Sequence, residues 1–361
     1  MSRIDSSGIR KVFDLAAKMK NPINLSIGQP DFAVPSAVKS EAVRAIESDF
    51  NGYTPTQGIP ELIEAVGGLM RKTRNWVPGG VLITSGVSGG IMLALNALVD
   101  PGDEVLIGDP YFVMYRHLTA LLDGVPVLVD TYPDFRLTAE RIEPLLTAKS
   151  KVLLLNSPCN PTGAISTERE LKDIADLARA HGLVVITDEI YDGFCYDAEF
   201  VSIVRYLPEA LLLGGFSKSY AMTGWRLGYA CGEADIIAEM TKLQQFTFVC
   251  APSVVQRAGL AALKTDPRHH LEEYRRKRDL IYEGLKDRFE VVKPAGAFYM
   301  FPKAPWGTDM EFVGRCIERE CLVIPGSVFS RRNTHFRISY ANSLEQLRRG
   351  VEALREAASG G

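Results

Sequence analysis

The chain has 361 residues, enough for two domains with a substantial apolar core. Hydrophobic residues make up 46% of it and charged residues 24%, and the net charge is -3, so no basic surface is indicated for nucleic acid or anionic lipid. No stretch approaches the roughly twenty apolar residues of a membrane span. Six cysteines without a CxxC pair, and no histidines at metal spacing, predict neither a disulfide nor a metal site.

The first twenty residues predict an amphipathic helical arm. They lack the apolar core of a secretory signal, which favours a cytoplasmic protein. A short strand is predicted from Asn21 to Asp31, breaking at Gly28 and Pro30. Because glycine has no Cβ, the backbone at Gly28 can approach a ligand closely.

Two helices are predicted next. The first covers Ser36 to Ser48 with Ser36 as its N-cap, and the second covers Pro60 to Met70. Tyr53 lies in the segment between them.

A strand over Val81 to Thr84 is followed by a turn of small residues and a helix over Ile91 to Leu98. The free backbone NH groups and the positive dipole end of such a helix form a ready phosphate site. The predicted phosphate loop is therefore Gly86, Val87 and Ser88.

The same turn fits G-x-S-x-G, the nucleophile motif of the α/β-hydrolases, in a strand-turn-helix setting. In that alternative Ser88 is the nucleophile, and a histidine must follow an acidic residue later in the chain.

Three further buried strands are predicted over Glu104 to Ile107, Lys151 to Leu155 and Leu183 to Ile186, with helices between them. Repeated strand-helix-strand units with nearly continuous apolar strands indicate a mostly parallel sheet covered on both faces. Ligands of such α/β sheets gather at the carboxyl ends of the strands.

Polar and aromatic side chains follow each of these strands. Phe112, or its neighbour Tyr111, follows the first, and Asn160 lies in the proline-rich turn after the second. Asp188 and Tyr191 follow the third. We expect these side chains to meet at one edge of the sheet.

The stretch Gly214 to Tyr229, GGFSKSYAMTGWRLGY, places Lys218 just after an apolar strand over Ala210 to Leu213, with Arg226 eight residues later. A lysine is a nucleophile only when its amine can be neutral, which needs a partly desolvated or electropositive site, and a fixed arginine suits a phosphate. A lysine beside a phosphate anchor suggests pyridoxal phosphate.

The rest of the chain predicts a long helical region over Ala234 to Lys264 and a charged helix over His269 to Arg288. Arg337 follows on a short alternating strand, where an exposed charge is expected at every second residue. Its planar guanidinium could instead bind a carboxylate through two parallel hydrogen bonds.

Several of these segments resemble the class I and II aminotransferases, which are fold type I pyridoxal phosphate enzymes. The resemblance rests on S-K-x-x-x-M-x-G-x-R-x-G around Lys218, N-x-P-x-N-P-T-G around Asn160, D-E-x-Y from Asp188 and G-x-P-D-F from Gly28. It covers nearly the whole chain.

The resemblance implies an α/β fold with a large domain, in which helices cover a mostly parallel sheet, and a smaller α+β domain. We expect residues 1–36 to form an N-terminal arm and part of the small domain, 37–264 the large cofactor-binding domain and 265–361 the small C-terminal domain.

The resemblance also implies roles for the site residues. Lys218 would hold the cofactor as a Schiff base and move the substrate proton, and Asp188 would pair with the pyridine nitrogen. Asn160 and Tyr191 would donate to the phenolic oxygen, and Phe112 would stack on the ring.

In the family, further residues bind the phosphate and the substrate. Arg226 would join the phosphate loop, with Ser217 or Ser219 as the serine that contacts the phosphate. Tyr53 would reach the cofactor phosphate of a neighbouring subunit, which predicts a homodimer with shared active sites. Gly28, Asn160 and Arg337 would bind the substrate, with Arg337 on its α-carboxylate. The chain departs from the family pattern at Gly215, where a serine that contacts the phosphate is common.

The predicted function is transfer of an amino group from an L-amino acid to a 2-oxo acid. A lyase or decarboxylase of the same fold, a cofactor-binding regulatory domain and a serine hydrolase using Ser88 are the alternatives. The sequence leaves open which amino acid and oxo acid are used.

Overall fold

A computed structural model of the protein describes residues 22–266 and 268–359. The predicted helical arm over the first twenty residues lies outside this part of the chain. The strands are β1 (Ile23–Asn24), β2 (Gly80–Thr84), β3 (Glu104–Asp109), β4 (Val125–Asp130), β5 (Ser150–Asn156), β6 (Val184–Asp188), β7 (Leu211–Gly215), β8 (Gly228–Gly232), β9 (Tyr299–Met300), β10 (Cys321–Leu322), β11 (Ile324–Pro325) and β12 (Phe336–Ser339). The α-helices are α1 (Ser36–Glu47), α2 (Pro60–Arg74), α3 (Gly86–Leu98), α4 (Val113–Leu121), α5 (Ala139–Ile142), α6 (Glu168–His181), α7 (Ala234–Gln245), α8 (Ser253–Ala262), α9 (Leu271–Leu285), α10 (Asp309–Ile317) and α11 (Leu344–Ala358).

Seven strands form the central sheet in the order β2-β8-β7-β6-β5-β3-β4. Strands β4, β3, β5, β6 and β7 pair in parallel, and β8 runs antiparallel to both of its neighbours. The prediction of a mostly parallel sheet is therefore confirmed.

Both faces of this sheet are covered. Along β5, Val152 and Leu154 pack into one apolar cluster, whereas Leu153 and Leu155 pack into another. Successive side chains of a strand point to opposite faces, so a strand covered on both sides needs the continuous apolar run that β5 has.

The C-terminal part of the chain forms smaller sheets. Strands β11, β12 and β9 form a three-stranded antiparallel sheet, and β1 near the start of the described chain pairs in parallel with β10. Helices α10 and α11 pack beside these strands.

Four local predictions are wrong. Of the strand predicted from Asn21 to Asp31, the described residues form only Ile23–Asn24. Helix α1 begins after Pro35, and Ser36 is its first residue and makes no capping hydrogen bond. The turn predicted before Ile91 is already helical from Gly86, because buried packing of this small-residue segment overrides the low helix propensity of glycine. The long helical region after Ala234 is two helices, separated by residues 246–252.

Among the described residues, none of the helices is both long and apolar enough to cross a membrane. All six cysteines are free thiols.

Candidate active site

The carboxyl ends of β5, β6 and β7 open into one cavity of about 260 Å³. Parallel strands deliver the residues that follow them to the same edge of a sheet, and this cavity lies at that edge. The residues that line it are Gly28, Val87, Ser88, Ile91, Phe112, Tyr115, Asn156, Asn160, Asp188, Ile190, Tyr191, Ser217, Lys218, Thr223, Arg226, Tyr299 and Arg337.

The structure thus brings together most of the side chains predicted from the sequence. Of the two candidate aromatics after β3, Phe112 lines the cavity, whereas the hydroxyl of Tyr111 accepts a hydrogen bond from Arg116. Gly86 borders the cavity through Arg226, and Tyr53 lies outside it.

Lys218 is half-buried, and its amine ends inside the cavity. Its Nζ donates a hydrogen bond to the backbone oxygen of Gly28 at 2.7 Å. The pKa of Lys218 is lowered to about 8, mainly by burial of the amine and also by the positive charges of Arg337 and Arg226, while Asp188 opposes the change. A lysine with this pKa is neutral in a useful fraction of molecules near neutral pH.

Asp188 is buried at the end of β6. Its Oδ2 accepts from the hydroxyl of Tyr115 at 2.7 Å, and its Oδ1 accepts from the backbone NH of Ile190 at 3.1 Å. Burial raises the pKa of Asp188 to about 6, although both hydrogen bonds and Lys218 favour the carboxylate. Asp188 is therefore an anion at neutral pH, held in a fixed orientation.

Arg337 is only 1% exposed, which corrects the expectation of an exposed charge on an alternating strand. All four residues of β12 are buried. The Arg337 guanidinium lies between the rings of Tyr299 and Phe329, at 4.5 and 4.6 Å from their centroids. It donates to Asn160 Oδ1 at 3.0 Å and to the backbone oxygen of Ser26 at 2.8 Å.

These contacts orient Asn160 as well. A guanidinium can only donate, so the Asn160 oxygen faces Arg337 and its amide NH₂ is left to donate elsewhere. The backbone NH of Asn160 donates to Asn156 Oδ1 at 2.9 Å, and Asn156 in turn donates to the backbone oxygen of Asp188. The turn after β5 is thus joined to the end of β6.

Tyr191 completes this side of the cavity. Its hydroxyl and that of Tyr299 lie 2.8 Å apart and form a hydrogen bond. Burial raises the pKa of Tyr191 well above its ordinary value, so it remains a neutral phenol that can donate.

The part of the cavity around Arg226 is electropositive. Helix α3 begins at Gly86, and Val87 and Ser88 in its first turn line the cavity, as do Ser217 and Arg226. Gly86 has φ +70°, and a Cβ placed on it would lie 2.4 Å from Nη2 of Arg226. The guanidinium therefore packs directly on the helix start, where backbone NH groups and the helix dipole favour an anion.

Several lining residues were missed by the sequence analysis. Tyr115 binds Asp188, Tyr299 binds Tyr191, and Ile190 and Asn156 line the wall beside them. Asn156 could have been predicted from the sequence, since it begins the proline-rich turn that contains Asn160. The two tyrosines had none, because they reach the site only through long-range packing.

The hydrolase alternative finds no support in this geometry. Ser88 is the third residue of α3, and no histidine is among the described residues that line its cavity. A Ser-His pair within hydrogen-bond reach, which that chemistry needs, is missing from this wall.

The charges of the lining residues define what the cavity can bind. Three cations, Lys218, Arg226 and Arg337, face one carboxylate, Asp188, among the described lining residues. The buried Nε of Arg337 has no hydrogen-bond partner. Buried charges require partners, so this site fits a ligand set with two anionic groups. The α/β fold thus carries, in one cavity, a lysine of lowered pKa and cationic side chains that suit two anionic groups.

Comparison with known proteins identifies the family. A family model described as aminotransferase class I and II matches residues 20–354. The chain is 37% identical over 366 residues to a probable aspartate aminotransferase of Methanocaldococcus jannaschii, covering 98% of this chain and 97% of that protein. It is 38% identical to a probable N-acetyl-LL-diaminopimelate aminotransferase of Bacillus subtilis, covering 97% of this chain and 93% of that protein.

A solved structure shows the same fold. The aspartate aminotransferase of Thermus thermophilus with maleate superimposes with a TM-score of 0.94 at 34% identity, covering 98% of this chain and 97% of that one. The chain belongs to the class I and II aminotransferases, a family of pyridoxal phosphate-dependent transaminases.

Proposed function

We propose that this cavity binds pyridoxal phosphate and transfers an amino group from an L-amino acid to a 2-oxo acid. The observation that carries the proposal is that three buried or partly buried cations and only one carboxylate are among the described residues that line this cavity. A cofactor phosphate and a substrate α-carboxylate would supply the two missing anions.

The described residues fit this cofactor. Arg226, Ser217 and the first turn of α3 would bind the phosphate, and Asp188 would face the pyridine nitrogen. Asn160 and Tyr191 would donate to the phenolic oxygen. When bound, the cofactor supplies an electron sink that weakens the bonds to the substrate Cα.

Phe112 and Ile190, which both line the cavity, would hold the ring between them in this proposal. Phe112 would stack on one face, as predicted from the sequence, and Ile190 would pack on the other. Tyr115 would keep Asp188 in the orientation that its hydrogen bond sets.

Lys218 and Arg337 would handle the substrate. The planar guanidinium of Arg337 would take the α-carboxylate in a bidentate pair, with Asn160 and Gly28 beside it. Lys218, with its pKa lowered to about 8, would take the proton from Cα and return it as general base and acid.

We further propose a homodimer with shared active sites. Tyr53 is 89% exposed, and Phe246 is 84% exposed. Their segments lie together, because Gln244 donates to the backbone oxygen of Thr56 at 2.7 Å. Such an aromatic patch suits a partner surface, and it would place Tyr53 at the neighbouring phosphate site.

The domain division also remains our proposal, as does the cytoplasmic location. The pairing of β1 with β10 supports assigning the start of the chain to the smaller domain, and the separate three-stranded sheet supports a unit within 265–361.

The test is the half-reaction with single amino acids. The protein is loaded with pyridoxal phosphate and given one L-amino acid at a time, without an oxo acid. We expect release of the matching 2-oxo acid while the amino group stays on the bound cofactor. Release of ammonia or carbon dioxide without this retention would assign a lyase or decarboxylase instead. The relatives named above carry different donor names, so the panel also identifies the donor.

A variant pair tests the central residue. Lys218→Ala is expected to bind the cofactor yet lose turnover, since no other lysine lines the described cavity wall. Lys242→Ala, which removes an exposed lysine paired with Glu239, should retain full turnover. Transamination by Lys218→Ala at the wild-type rate would overturn the assignment.

A further inference from the structure

A short segment, Gly28–Phe32, begins at the cavity, which Gly28 lines, and we name it the strap. The amine of Lys218 donates to the backbone oxygen of Gly28 at 2.7 Å. On the other side, a Cβ placed on Gly28 would lie 2.5 Å from the hydroxyl of Tyr299. The strap backbone is therefore held between the reactive amine and a buried tyrosine, where a small displacement changes the surroundings of Lys218.

Three residues further along, the strap is anchored to helix α9. Asp31 accepts from the hydroxyl of Tyr274 and from Nζ of Lys277, both at 2.6 Å. The backbone NH of Asp31 donates back to the same tyrosine hydroxyl at 3.1 Å. Two side chains of one helix thus fix both the carboxylate and the backbone of Asp31.

The anchor is deeply buried on the helix side. Tyr274 is fully buried, and the Lys277 side chain is only 2% exposed and also pairs with Glu273 at 2.6 Å. The Lys277 ammonium lies 4.7 Å from the centroid of the Tyr274 ring. Next to Asp31, Phe32 stacks on His270 with ring centroids 3.8 Å apart.

Stability alone does not account for this arrangement. Replacing a buried ion pair by apolar residues of similar volume is often neutral or stabilising, so such a pair is weak evidence for a stabilising role. What the pair provides here is a defined position of the strap. A displacement of about 1 Å between a catalytic group and the atom with which it reacts can lower the rate about a hundredfold.

We propose that Asp31, Tyr274 and Lys277 are positioning residues that hold the Gly28 carbonyl over the Lys218 amine. The proposal rests on the role of Lys218 in the proposed function. Through the strap, helix α9 sets the orientation of the Lys218 amine when that amine is free of the cofactor. The strap also excludes water from the position beside the amine.

The experiment uses Asp31→Asn and Lys277→Met, with Lys286→Met as the matched control. Lys286 lies one residue beyond the end of α9 and pairs with Glu283 at the surface, so its replacement removes an ion pair without touching the strap. Asp31→Asn leaves the buried Lys277 paired with the partly exposed Glu273 and should fold even where Lys277→Met does not.

The first readout is the pKa of the Lys218 amine in the protein without cofactor. It is measured from the pH dependence of acetylation by acetic anhydride, followed by mass spectrometry of the Lys218 peptide. Burial is the largest cause that lowers this pKa, and Arg337 and Arg226 lower it further against Asp188. If the strap is loosened, water replaces the Gly28 carbonyl as acceptor for the Lys218 amine, and the amine becomes less buried. The pKa of Lys218 should then rise from about 8 towards its ordinary value.

The second readout is the single-turnover rate constant of the loaded enzyme with an amino acid. We expect a loss of about tenfold to a hundredfold in Asp31→Asn and Lys277→Met, and wild-type values of both readouts in Lys286→Met. A role in stability alone would lower the melting temperature but leave the Lys218 pKa unchanged. Folded Asp31→Asn with wild-type pKa and rate would overturn the proposal.

The two readouts separate this proposal from the proposed function. If the pKa responds but wild-type protein transfers no amino group, the anchor stands and the function fails. If wild-type protein transaminates and neither readout responds in the variants, the anchor fails and the function stands.

Discussion

Arg337 has two described hydrogen-bond partners, an amide oxygen and a carbonyl, and both are neutral. A buried guanidinium without a counter-charge is costly unless a ligand supplies one. The flanking rings of Tyr299 and Phe329 restrict its plane, which would preorganise it for a planar carboxylate.

Replacing Arg337 should therefore weaken the binding of the substrate carboxylate and so reduce stabilisation of the transition state. For Arg337→Ala we expect a loss of about 2–5 kcal/mol in kcat/KM for every accepted amino acid. Arg337→Lys should recover only part of it, because an ammonium lacks the two parallel donors. Steady-state kinetics check this, with Arg169→Ala at an exposed helix position as the control. An unchanged kcat/KM in Arg337→Ala would place the carboxylate elsewhere.

The lowered pKa of Lys218 predicts a pH dependence of stability in the protein without cofactor. Between its folded pKa of about 8 and its ordinary value of 10.5, the folded chain binds fewer protons than the unfolded chain. The free energy of unfolding should then rise with pH across this window, by about 2–3 kcal/mol from this group. The contribution is lost as the pH falls through 8.

The comparison of wild type with Lys218→Met isolates this contribution from other groups that titrate in the same range. Urea unfolding at pH 7.5 and at higher pH measures it, and the difference between the two proteins should shrink or change sign as the pH rises. A difference that is constant over the window would show that the lysine is not perturbed.

At the scale of elements, the start of α3 and the strand β8 form one unit. Gly86 adopts φ +70° beneath Arg226, and a Cβ on Gly228 would lie 2.6 Å from the carbonyl carbon of Gly86. Both glycines are needed because backbone and guanidinium pack without room for a side chain. This packing holds the end of the cavity that we propose for the phosphate.

Gly86→Ala should weaken this end specifically. The left-handed backbone costs about 1–2 kcal/mol with a Cβ, and the guanidinium must move, so both stability and affinity for pyridoxal phosphate should fall. Gly67→Ala, within α2 and with nothing near its Cβ, should instead raise stability by about 0.5–1 kcal/mol and leave affinity unchanged. Cofactor titration and urea unfolding of both variants test this; equal affinities would contradict it.

The order of strands also explains which site residues could be predicted from the sequence. Lys218, Asp188 and Asn160 each come at or after the end of an apolar strand. Because the carboxyl ends of parallel strands lie at the same edge of the sheet, these three residues were expected to meet. Tyr115, Tyr299 and Tyr274 could not be predicted. Their hydrogen bonds join residues 73, 108 and 243 positions apart, and no periodicity within a segment records such contacts.

Arg337 shows a second limit of local patterns. An alternating strand predicts one exposed face, but β12 lies between β11 and β9 and is buried on both sides. The same applies to the small-residue segment at α3, whose low helix propensity is overridden by packing. In both cases, packing against distant parts of the chain determined the structure, and a local sequence pattern does not record that packing.

The exposed aromatic patch of Tyr53, Phe246 and Phe248 adjoins the end of the cavity that we propose for the phosphate. Phe248 lies 3.7 Å from a Cβ placed on Gly89 of α3, and Tyr53 is almost fully exposed nearby in the loop held by Gln244. In the proposed dimer each cavity uses Lys218 and Arg226 of one subunit and Tyr53 of the other.

Mixing two impaired variants tests this sharing. Lys218→Ala lacks the amine, and Tyr53→Ala should bind cofactor weakly in the homodimer. In a hybrid dimer, one cavity combines the intact Lys218 of one subunit with the intact Tyr53 of the other. Random exchange of equal amounts should therefore restore about a quarter of the wild-type sites, measured as activity at limiting cofactor after mild denaturation and refolding together.

The control mixes Lys218→Ala with Arg226→Ala. Both residues line the cavity of their own chain, so every hybrid cavity lacks one of them and activity should not return. Recovery only in the first mixture requires that the two mutated positions meet across subunits. If neither mixture recovers while native mass spectrometry shows hybrid dimers, Tyr53 does not serve the neighbouring site, and its exposure marks a contact without a part in cofactor binding.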